Sequence, residues 1–493
     1  MKPTNQTNSW TTVAASFVLS ILFIYILTRR KRGSAISHCA SKILPSPFQL
    51  PIIGHLYLLN GNPFAVMTNL SKKYGDIYRL QLGTVKTVVV SSMRLIRKVL
   101  IEQGADFGDR PDFMRYNILF SNDRGNSLAF CDWSRVQKTR RALARRFCHT
   151  GIYEDKISAA IGRSEVQLLN ALQQDQENFG CAAKRLKLNV QKACASIFFD
   201  FFCSEIIEDW EGDQDFLQTV QKFDEIFWEI NQSHPTDVLP GLAPIFRSHL
   251  NQVAGMGKFI RDLVVRRIIE PHMERLDKDN LEDFVDILLA HLEEAEPESM
   301  LTMDQVLYEL EDFLGGHSAV SNLVGRAIVE IATVTGLSKT IYKQHFEVGN
   351  KDYILAVIYE TLRKTSSPIV PHVASADAYL DGYLIQKGTM VIINNYELNT
   401  SSEYWNDPHI FIPERFLTET GKFCKPSHFI PFSNGRRACM GYQLVEKVAA
   451  DLILGIIKNF DITPTQKPNI LPQSCVAIHP DEQLRVNLVP RDS

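Results

Sequence analysis

Apolar and polar residues alternate along two stretches of the chain in the manner of β-strands. Residues 77–91 alternate and are rich in β-branched side chains, a pattern that predicts a hairpin. Residues 376–396 return to the same alternation around Gly382 and Gly388. Between these stretches, from about residue 133 to residue 366, apolar residues recur with a helical period and prolines are few. That region is predicted to be mostly helical.

The remaining patterns add a helix, short strands and a loop. A last helix is predicted from near Cys439 to about Asn459, and short strands are predicted near 473–489. Residues 105–132 have no clear period and predict a long functional loop. The fold class that follows is mainly α with small β-sheets.

The N-terminus predicts a membrane anchor. Residues 10–28 carry no charge, and a spanning helix needs about 20 apolar residues. Four basic residues, 29–32, follow at once, whereas only Lys2 precedes, so the N-terminus is predicted to be lumenal and the body cytosolic. A cleaved signal peptide is the competing interpretation, but it would have a shorter apolar core and a small-residue cleavage site. A mitochondrial presequence would be amphipathic, which this segment is not.

A proline-rich segment separates the anchor from the body. Pro45, Pro47 and Pro51 forbid a helix and hold the chain extended. The segment is either an ordinary linker or a stiff spacer that fixes the body relative to the membrane. We therefore predict three segments. Residues 1–32 form a lumenal tip, the membrane anchor and its basic stop, residues 33–55 form the hinge, and residues 56–493 form one catalytic domain.

Composition narrows the function classes. The 493 residues carry a net charge of -3, which argues against a nucleic-acid-binding protein, since such proteins usually have a basic surface. Nine cysteines are scattered without a Cys-x-x-Cys pair, so no zinc site is predicted. Most of them are expected to be inert buried thiols. A cysteine that carries chemistry has to be identified by its surroundings.

One decapeptide, FSNGRRACMG at 432–441, sets Cys439 apart. Asn434-Gly435 is a turn signal, and the glycine permits close backbone approach. Cys439 lies between this turn and the last predicted helix, where helix amides and the nearby Arg437 favour a thiolate over a thiol. The alternative, for a single cysteine, is a buried structural residue in a turn.

This loop resembles the iron-ligand loop of the cytochrome P450 family, Phe-x-x-Gly-x-Arg-x-Cys-x-Gly. Every fixed position is met, with Phe432, Gly435, Arg437 and Cys439 among them. The resemblance implies a cytochrome P450 fold behind an N-terminal transmembrane helix, with haem b as cofactor and Cys439 as the axial ligand of its iron. The family is itself the standard case of a thiolate that pushes electron density onto haem iron and favours O–O cleavage. The resemblance covers essentially the whole chain, because the hinge and two further blocks also match in order and spacing.

Those two blocks contain a charged triad. Glu360 and Arg363 are three residues apart and are therefore neighbours on one helix face. Alone, they would fit a solvated surface pair worth under about 1 kcal/mol. The resemblance implies instead a buried structural network with Arg415, in which removing one member costs roughly 3–5 kcal/mol.

A basic helix is predicted to begin at Trp133. The family usually has an arginine four residues after this tryptophan that reaches a haem propionate, and Gln137 stands there. Arg140 is seven residues on, about two turns, and returns to nearly the same face. The resemblance therefore implies cofactor binding by Trp133 with Arg140 or Arg141. A solvated basic face is the alternative.

The oxygen-site helix departs from the family pattern, Ala/Gly-Gly-x-Asp/Glu-Thr. Ser318 replaces the acid and Ala319 the threonine, whereas Gly315 and Gly316 are kept and are expected to loosen the helix. Ala319 has no hydroxyl and cannot hold a water by hydrogen bonding, so the usual proton relay is missing. The catalytic residues expected in this stretch are Gly316, His317 and Ser318. An imidazole suits proton transfer near neutrality, although a structural histidine is the alternative. Other hydroxyl or amide side chains, ordered water or a substrate hydroxyl are further candidates.

The unusual blocks point to a substrate class. CDWSRVQKTRRALARRFC, FLGGHSAVSNLVG and SSPIVPHVAS resemble the arthropod Spook group, one of the Halloween enzymes of moulting-hormone synthesis. This implies an endoplasmic-reticulum monooxygenase that oxidises a sterol in an early ecdysteroid step from 7-dehydrocholesterol. NADPH-cytochrome P450 reductase is the implied partner. Basic residues such as Lys138 and Arg436 are candidates for its docking face, since complementary charge steers association, and solubility is their alternative role. A haem-thiolate isomerase or dehydratase, and a non-catalytic haem- or sterol-binding protein, are the competing hypotheses.

Overall fold

The computed structural model describes residues 42–149, 151–294, 301–467, 469, 471 and 474–491. The predicted anchor at 10–28 lies outside these ranges. The rest of the predicted first segment, 1–32, and residues 33–41 of the predicted hinge lie outside them as well. Within them, no single helix is long and apolar enough to cross a membrane. One pair bent by 111°, Met303–Thr333 with Leu337–Glu347, passes that test by length and composition alone.

Helices make up most of the described chain, which confirms the mainly α prediction. In chain order they are α1 Pro63–Tyr74, α2 Met93–Arg97, α3 Met114–Leu119, α4 Arg135–Phe147, α5 Glu154–Phe179, α6 Leu186–Cys203, α7 Gln214–Ile230, α8 Pro235–Val238, α9 Arg247–Val264, α10 Glu270–Arg275, α11 Phe284–Glu294, α12 Met303–Thr333, α13 Leu337–Tyr342, α14 Asp352–Thr365, α15 Asn395–Thr400 and α16 Tyr442–Asn459. Short 3-10 turns occur at Leu56–Leu58, Arg124–Asn126, Pro240–Leu242, Pro413–Phe416 and Gly435–Arg437, and π turns at Lys98–Glu102, Val265–Ile269 and Lys343–Glu347.

The strands form three small sheets. They are β1 Ile77–Leu82, β2 Val85–Val90, β3 His372–Val373, β4 Ala378–Leu380, β5 Tyr383–Ile385, β6 Met390–Ile393, β7 Phe460–Pro464 and β8 Val486–Pro490. β1 and β2 are the predicted antiparallel hairpin, and β6 extends this sheet in parallel with β3 at its edge. β4 pairs with β5, and β7 with β8. The sequence pattern missed β7 because it follows α16 directly, with no turn signal between them.

The long helix α12 runs through the centre of the body and positions the site. A capping box starts it, in which the Thr302 hydroxyl accepts from the Gln305 amide at 3.1 Å and the Gln305 side chain accepts from the Thr302 amide at 3.1 Å. Most side chains of α12 are buried, and α6, α14 and α16 pack against it. This helix therefore gives α6, α14 and α16 a common packing surface beside the site.

The helix continues without a break through Gly315 and Gly316, so the expected loosening is not seen. A Cβ at Gly315 would lie 3.1 Å from the ring of Phe223, and one at Gly316 would lie 3.2 Å from the ring of Phe198. These glycines allow aromatic rings of α7 and α6 to pack closely on α12.

The segment 105–132 is more ordered than the predicted loop. It contains α3 and the turn Arg124–Asn126. A helix of six residues is too short to show a period in the sequence, which is why the pattern did not reveal it.

Candidate active site around Cys439

Cys439 lies in a loop that backbone contacts hold tightly. Its amide donates to the Phe432 carbonyl at 2.9 Å, and the Ala438 amide donates to the Gly435 carbonyl at 3.2 Å. Gly435 has a φ of 75°, and a Cβ there would collide with the Leu100 carbonyl. Only glycine satisfies both conditions, so this residue seats the loop on the chain beneath it.

Cys439 has solvent-accessible surface, and burial by the surrounding atoms nevertheless raises the pKa of its thiol. The Gly441 amide and the Arg141 guanidinium act in the opposite direction and lower that pKa. Both favour the thiolate, which is the form that binds a metal.

Other cysteines lack this setting. Cys131, Cys148, Cys194 and Cys203 are buried, and burial raises the pKa of each thiol. Cys475 is also buried, in the segment before β8. Its Sγ lies 4.0 Å from the side-chain amide of Gln232, which follows α7. Raised thiol pKa values make these side chains inert at neutral pH.

Three buried arginines and a histidine gather beside the loop, and we name them the arginine cluster: Arg110, Arg141, Arg437 and His372. Burial lowers the pKa of Arg110 to about 9, that of Arg141 to about 10 and that of His372 to about 3, and it also lowers the pKa of Arg437. Repulsion from neighbouring arginines adds to the lowering for the first three. The three guanidinium groups are therefore close together, and each makes the charged form of its neighbours less favourable.

Backbone carbonyls satisfy only part of this cluster. Arg437 donates from Nε to the Gly108 carbonyl at 2.8 Å, and Arg141 donates from Nη2 to the Ala438 carbonyl. Among the described residues, Arg437 Nη1, Arg141 Nε and His372 Nε2 are buried without a hydrogen-bond partner. Buried unpaired donors are costly. Carboxylates would satisfy the two arginine nitrogens, so Arg437 and Arg141 fit the propionates of haem b. His372 Nε2 is an acceptor, because the neutral ring donates from Nδ1 to the Phe107 carbonyl.

Of the two arginines considered for the propionates, Arg141 belongs to this cluster and Arg140 lies elsewhere. Arg140 is fully buried and donates from Nε to Glu309 Oε2 of α12 at 2.7 Å and from Nη2 to the Asn126 carbonyl at 2.7 Å. Gln137 is buried too, and its amide donates to the chain before α4. Consecutive positions on α4 therefore point to different partners, one to the cysteine loop and one to α12.

Trp133 lies against the cysteine loop. Its ring centroid is 4.9 Å from Cζ of Arg436 and 5.5 Å from Cζ of Arg437, a cation–π arrangement. Arg110 and His372 were not among the predicted site residues. Arg110 precedes α3 and His372 lies in β3, so nothing in the local pattern placed them together.

The predicted charged triad is assembled in the structure. Glu360 and Arg363 form two hydrogen bonds of 2.7 Å, and both are fully buried. The Ile412 amide donates to Glu360 at 2.9 Å, and Arg415 Nε lies 3.5 Å from the same carboxylate. The remaining donors of Arg363 reach carbonyls of Asn399, Pro408 and Ile410. This network joins α14 to the segment 399–416 that follows β6 and α15.

His317 is turned away from the face of α12 that carries Ala319. The two residues are two positions apart, roughly 200° around the helix. The imidazole lies between the rings of Phe198 and Phe223, with centroids at 6.4 and 5.4 Å, and its Nδ1 is 2.6 Å from the Leu314 carbonyl. Burial lowers its pKa to about 4, so it is neutral near pH 7. This geometry favours a structural role.

Ser318 takes part in packing α12 against α7. Its carbonyl accepts from Asn322 Nδ2 at 2.7 Å, and the same amide donates to Asp224 Oδ1 at 3.2 Å. The Ser318 hydroxyl lies 3.4 Å from His317 Nε2. Gly316 is the third expected catalytic residue. Because it has no side chain, the ring of Phe198 can pack closely against α12 there.

An apolar cluster adjoins the arginine cluster, and we name it the apolar wall. It comprises Tyr116, Leu119, Phe120, Phe130, Val253 and Tyr308, with Phe113, Ile118, Ile226, Ile230, Met256 and Val370 partly buried against them. The Val370 carbonyl accepts from Arg110 at 2.9 Å, and Phe130 precedes Cys131, whose carbonyl accepts from Arg437. The segment 105–132 thus supplies half of a wall that begins where the arginine cluster ends.

Comparisons with known proteins match the whole body. The family model described as Cytochrome P450 matches residues 44–486. Cytochrome P450 307a1 of Drosophila melanogaster is 38% identical over 495 residues, with 90% of each chain covered. Cytochrome P450 1A1 of Sparus aurata is 28% identical over 448 residues, with 84% of each chain covered. Cytochrome P450 1A1 of Rattus norvegicus is 26% identical over 464 residues, covering 87% of this chain and 86% of the relative.

Proposed function

Because the chain belongs to the cytochrome P450 family, and is thus a haem-thiolate monooxygenase, we propose that it oxidises a sterol. The specific proposal is an early step of ecdysteroid synthesis from 7-dehydrocholesterol. NADPH supplies the electrons through NADPH-cytochrome P450 reductase. The Spook-like sequence blocks and the similarity to cytochrome P450 307a1 support this substrate.

The observation that carries the sterol is the apolar wall. Its members are aromatic or aliphatic, apart from two tyrosine hydroxyls. One of these, on Tyr308, already lies 2.5 Å from the Ser121 hydroxyl. A rigid hydrocarbon skeleton gains roughly 25 cal/mol for each Å² of apolar surface that it buries. The wall therefore suits a large apolar molecule better than a charged one.

In this proposal the residues of the cysteine loop hold the cofactor. Cys439 would ligate the haem iron as a thiolate, and the haem would supply the chemistry of dioxygen activation. Arg437 and Arg141 would hold the propionates through Nη1 and Nε, which have no partner among the described residues, and Arg110 would add positive charge beside them. Glu360, Arg363 and Arg415 would stabilise the body by joining α14 to the segment 399–416.

Proton delivery is the step for which this chain differs from the family. We infer that His317 does not donate the protons, because its imidazole is neutral and enclosed by Phe198 and Phe223. Ala319, on the opposite side of the helix, is only partly buried and has no hydroxyl, so in this proposal water or a substrate hydroxyl delivers the protons there. Ala319 also favours the competing function, a haem-thiolate isomerase or dehydratase, since such a reaction needs no external protons.

One experiment separates these functions. Purified protein is incubated with reductase, NADPH, 7-dehydrocholesterol and isotopically labelled dioxygen, and the products are examined by mass spectrometry. We expect a sterol product whose formation needs NADPH, with Cys439→Ser as the inactive control. Conversion that proceeds without NADPH and without incorporated label would replace the monooxygenase proposal with the isomerase. Binding of the sterol with no product in either condition would support the non-catalytic hypothesis.

Membrane association is supported by a patch of exposed apolar residues. Ile43, Phe48 and Ile52 of the predicted hinge are 89%, 71% and 70% exposed, and Ile245 before α9 is 75% exposed. The turn between β1 and β2 joins the two segments, because the Gly83 amide donates to the Ile53 carbonyl and the Thr84 amide to the Val238 carbonyl. Contiguous exposed apolar surface marks membrane or protein contacts. We propose that this face rests on the endoplasmic reticulum membrane beside the anchor at 10–28.

The basic residues around Trp133 are proposed as the docking face for the reductase. Lys138 is exposed on α4, and Arg436 lies over the Trp133 ring. Complementary charge accelerates such encounters, so electron transfer through this face should weaken as salt concentration rises.

A further inference from the structure

We propose that Arg115 is a positioning residue, a tether that keeps the two sides of the apolar wall together and thereby controls the access of bulky ligands to the haem. Arg115 is on α3. Its Nε and Nη2 donate to Asp237 Oδ2 at 3.0 and 2.5 Å, and its Nη1 donates to Glu229 Oε1 at 2.7 Å. Nη1 and Nη2 also donate to the carbonyls of Glu229 and Gln232 at 2.6 and 2.7 Å. All five N–H groups of the guanidinium are used.

The contacts are buried as well as numerous. The side chains of Arg115 and Asp237 are 3% and 4% exposed, and that of Glu229 is 13% exposed. A planar guanidinium with every donor engaged has one geometry, in contrast to an exposed ion pair with many. Removing one partner leaves an uncompensated buried charge, so the tether holds or opens as a unit.

The partners of Arg115 lie on the other side of the wall. Glu229 is at the end of α7, and Asp237 is in α8, within the connection that leads to α9. On α3 itself, Tyr116 and Leu119 belong to the wall, as do Ile226 and Ile230 of α7. The tether therefore fixes the separation between the aromatic face of α3 and the aliphatic face of α7.

The tether also lies at the edge of the wall. Phe113, Ile226 and Ile230 are only partly buried, so this edge is the part of the wall that solvent reaches. In the proposal a bulky ligand enters here when α3 and the connection 231–246 separate, and a small ligand enters without that movement. The tether depends on the contacts of Arg115 and on the haem of the family, and not on the identity of the substrate, so its failure would leave the sterol proposal standing.

Two haem ligands of different size test the tether. Stopped-flow absorbance measures the binding of imidazole and of 1-phenylimidazole to the ferric full-length protein. In Arg115→Gln we expect the association rate constant of 1-phenylimidazole to rise about tenfold and that of imidazole to stay the same, since mutation of one contact region changes such constants within a few decades. Arg115→Lys, which keeps the charge with fewer donors, should fall between Arg115→Gln and the native protein.

Arg266→Gln is the matched control, because Arg266 makes an exposed ion pair with Asp215 at 2.7 Å. Asp237→Asn and Glu229→Gln are second variants in case Arg115→Gln does not retain haem, and each should show the same preference for the larger ligand. Equal acceleration of both ligands, or a lower melting temperature with an unchanged ratio of the two rate constants, would reduce Arg115 to a structural residue and overturn the tether.

Discussion

Two of the buried arginine sets among the described residues differ in how their charge is balanced. In the network of Glu360, Arg363 and Arg415, a fully buried carboxylate accepts from one guanidinium and neighbours another. In the arginine cluster, positive groups lower one another's pKa, and three buried nitrogens have no partner among the described residues. Both sets are buried, so solvent screens neither of them.

This difference indicates a structural role for the Glu360 network and an anion-binding role for the arginine cluster. A network whose guanidiniums face a carboxylate of the protein itself contributes to folding whether or not a ligand is present. A cluster with unpaired donors is held together by the rest of the fold and gains its partners only from an anion. We therefore expect the first set to be insensitive to haem and the second to depend on it.

Breaking the balanced network should have the largest effect. Glu360→Ala leaves Arg363 buried without its carboxylate, which costs roughly 3–5 kcal/mol. We expect little or no haem-loaded protein, measured by the ferrous–CO absorbance of the purified material. Glu414→Gln, which changes an exposed carboxylate of the adjacent turn, is the control and should load normally. Normal haem incorporation in Glu360→Ala would rule out the structural role.

Removing haem should separate the two sets. In the apoprotein we expect amide hydrogen exchange to accelerate at least about tenfold in the segments 105–132 and 432–441, since about 1.4 kcal/mol of lost local stability produces that change. The amides of α14 around Glu360 should keep their protection. Equal loss of protection in both regions would contradict the distinction between the sets.

Removing one member of the cluster should weaken the cofactor without unfolding the body. For Arg437→Met we expect haem affinity to fall about 10–100-fold, the range seen when groups that support a metal site are lost. Arg436→Met is the matched control, because Arg436 contacts the same Trp133 ring but lies outside the cluster. Haem transfer to apomyoglobin measures the loss, and equal effects of the two substitutions would argue against propionate binding by Arg437.

The smallest expected effect concerns His317 and pH. Its pKa of about 4 in the folded protein is below the unfolded value near 6.5, so the unfolded state binds the proton more readily. Stability is therefore lost as pH falls from 6.5 towards 4, by about 1–2 kcal/mol at pH 5. His317→Phe should lose less stability than the native protein between pH 7 and pH 5 in urea unfolding. The same variant should keep its turnover at pH 7, and a large loss there would restore a catalytic role to the imidazole.

Local patterns by themselves determined the helical body, the hairpin, the cysteine loop and the pairing of Glu360 with Arg363. Each depends on residues that are close in the chain, where period, turn residues and helical spacing are visible. Arg415 and the haem cofactor were predicted only from the resemblance to the cytochrome P450 family, because no local pattern of this chain indicates them.

Tertiary structure decided which side chains meet in the site. Arg140 and Arg141 are neighbours in the sequence, yet one reaches α12 and the other the cysteine loop, because adjacent helix positions differ by about 100° in direction. Arg110 and His372 join the cluster from separate elements, and His317 packs between rings of α6 and α7. These outcomes depend on how distant elements pack against α12, and spacing along the chain does not encode that packing.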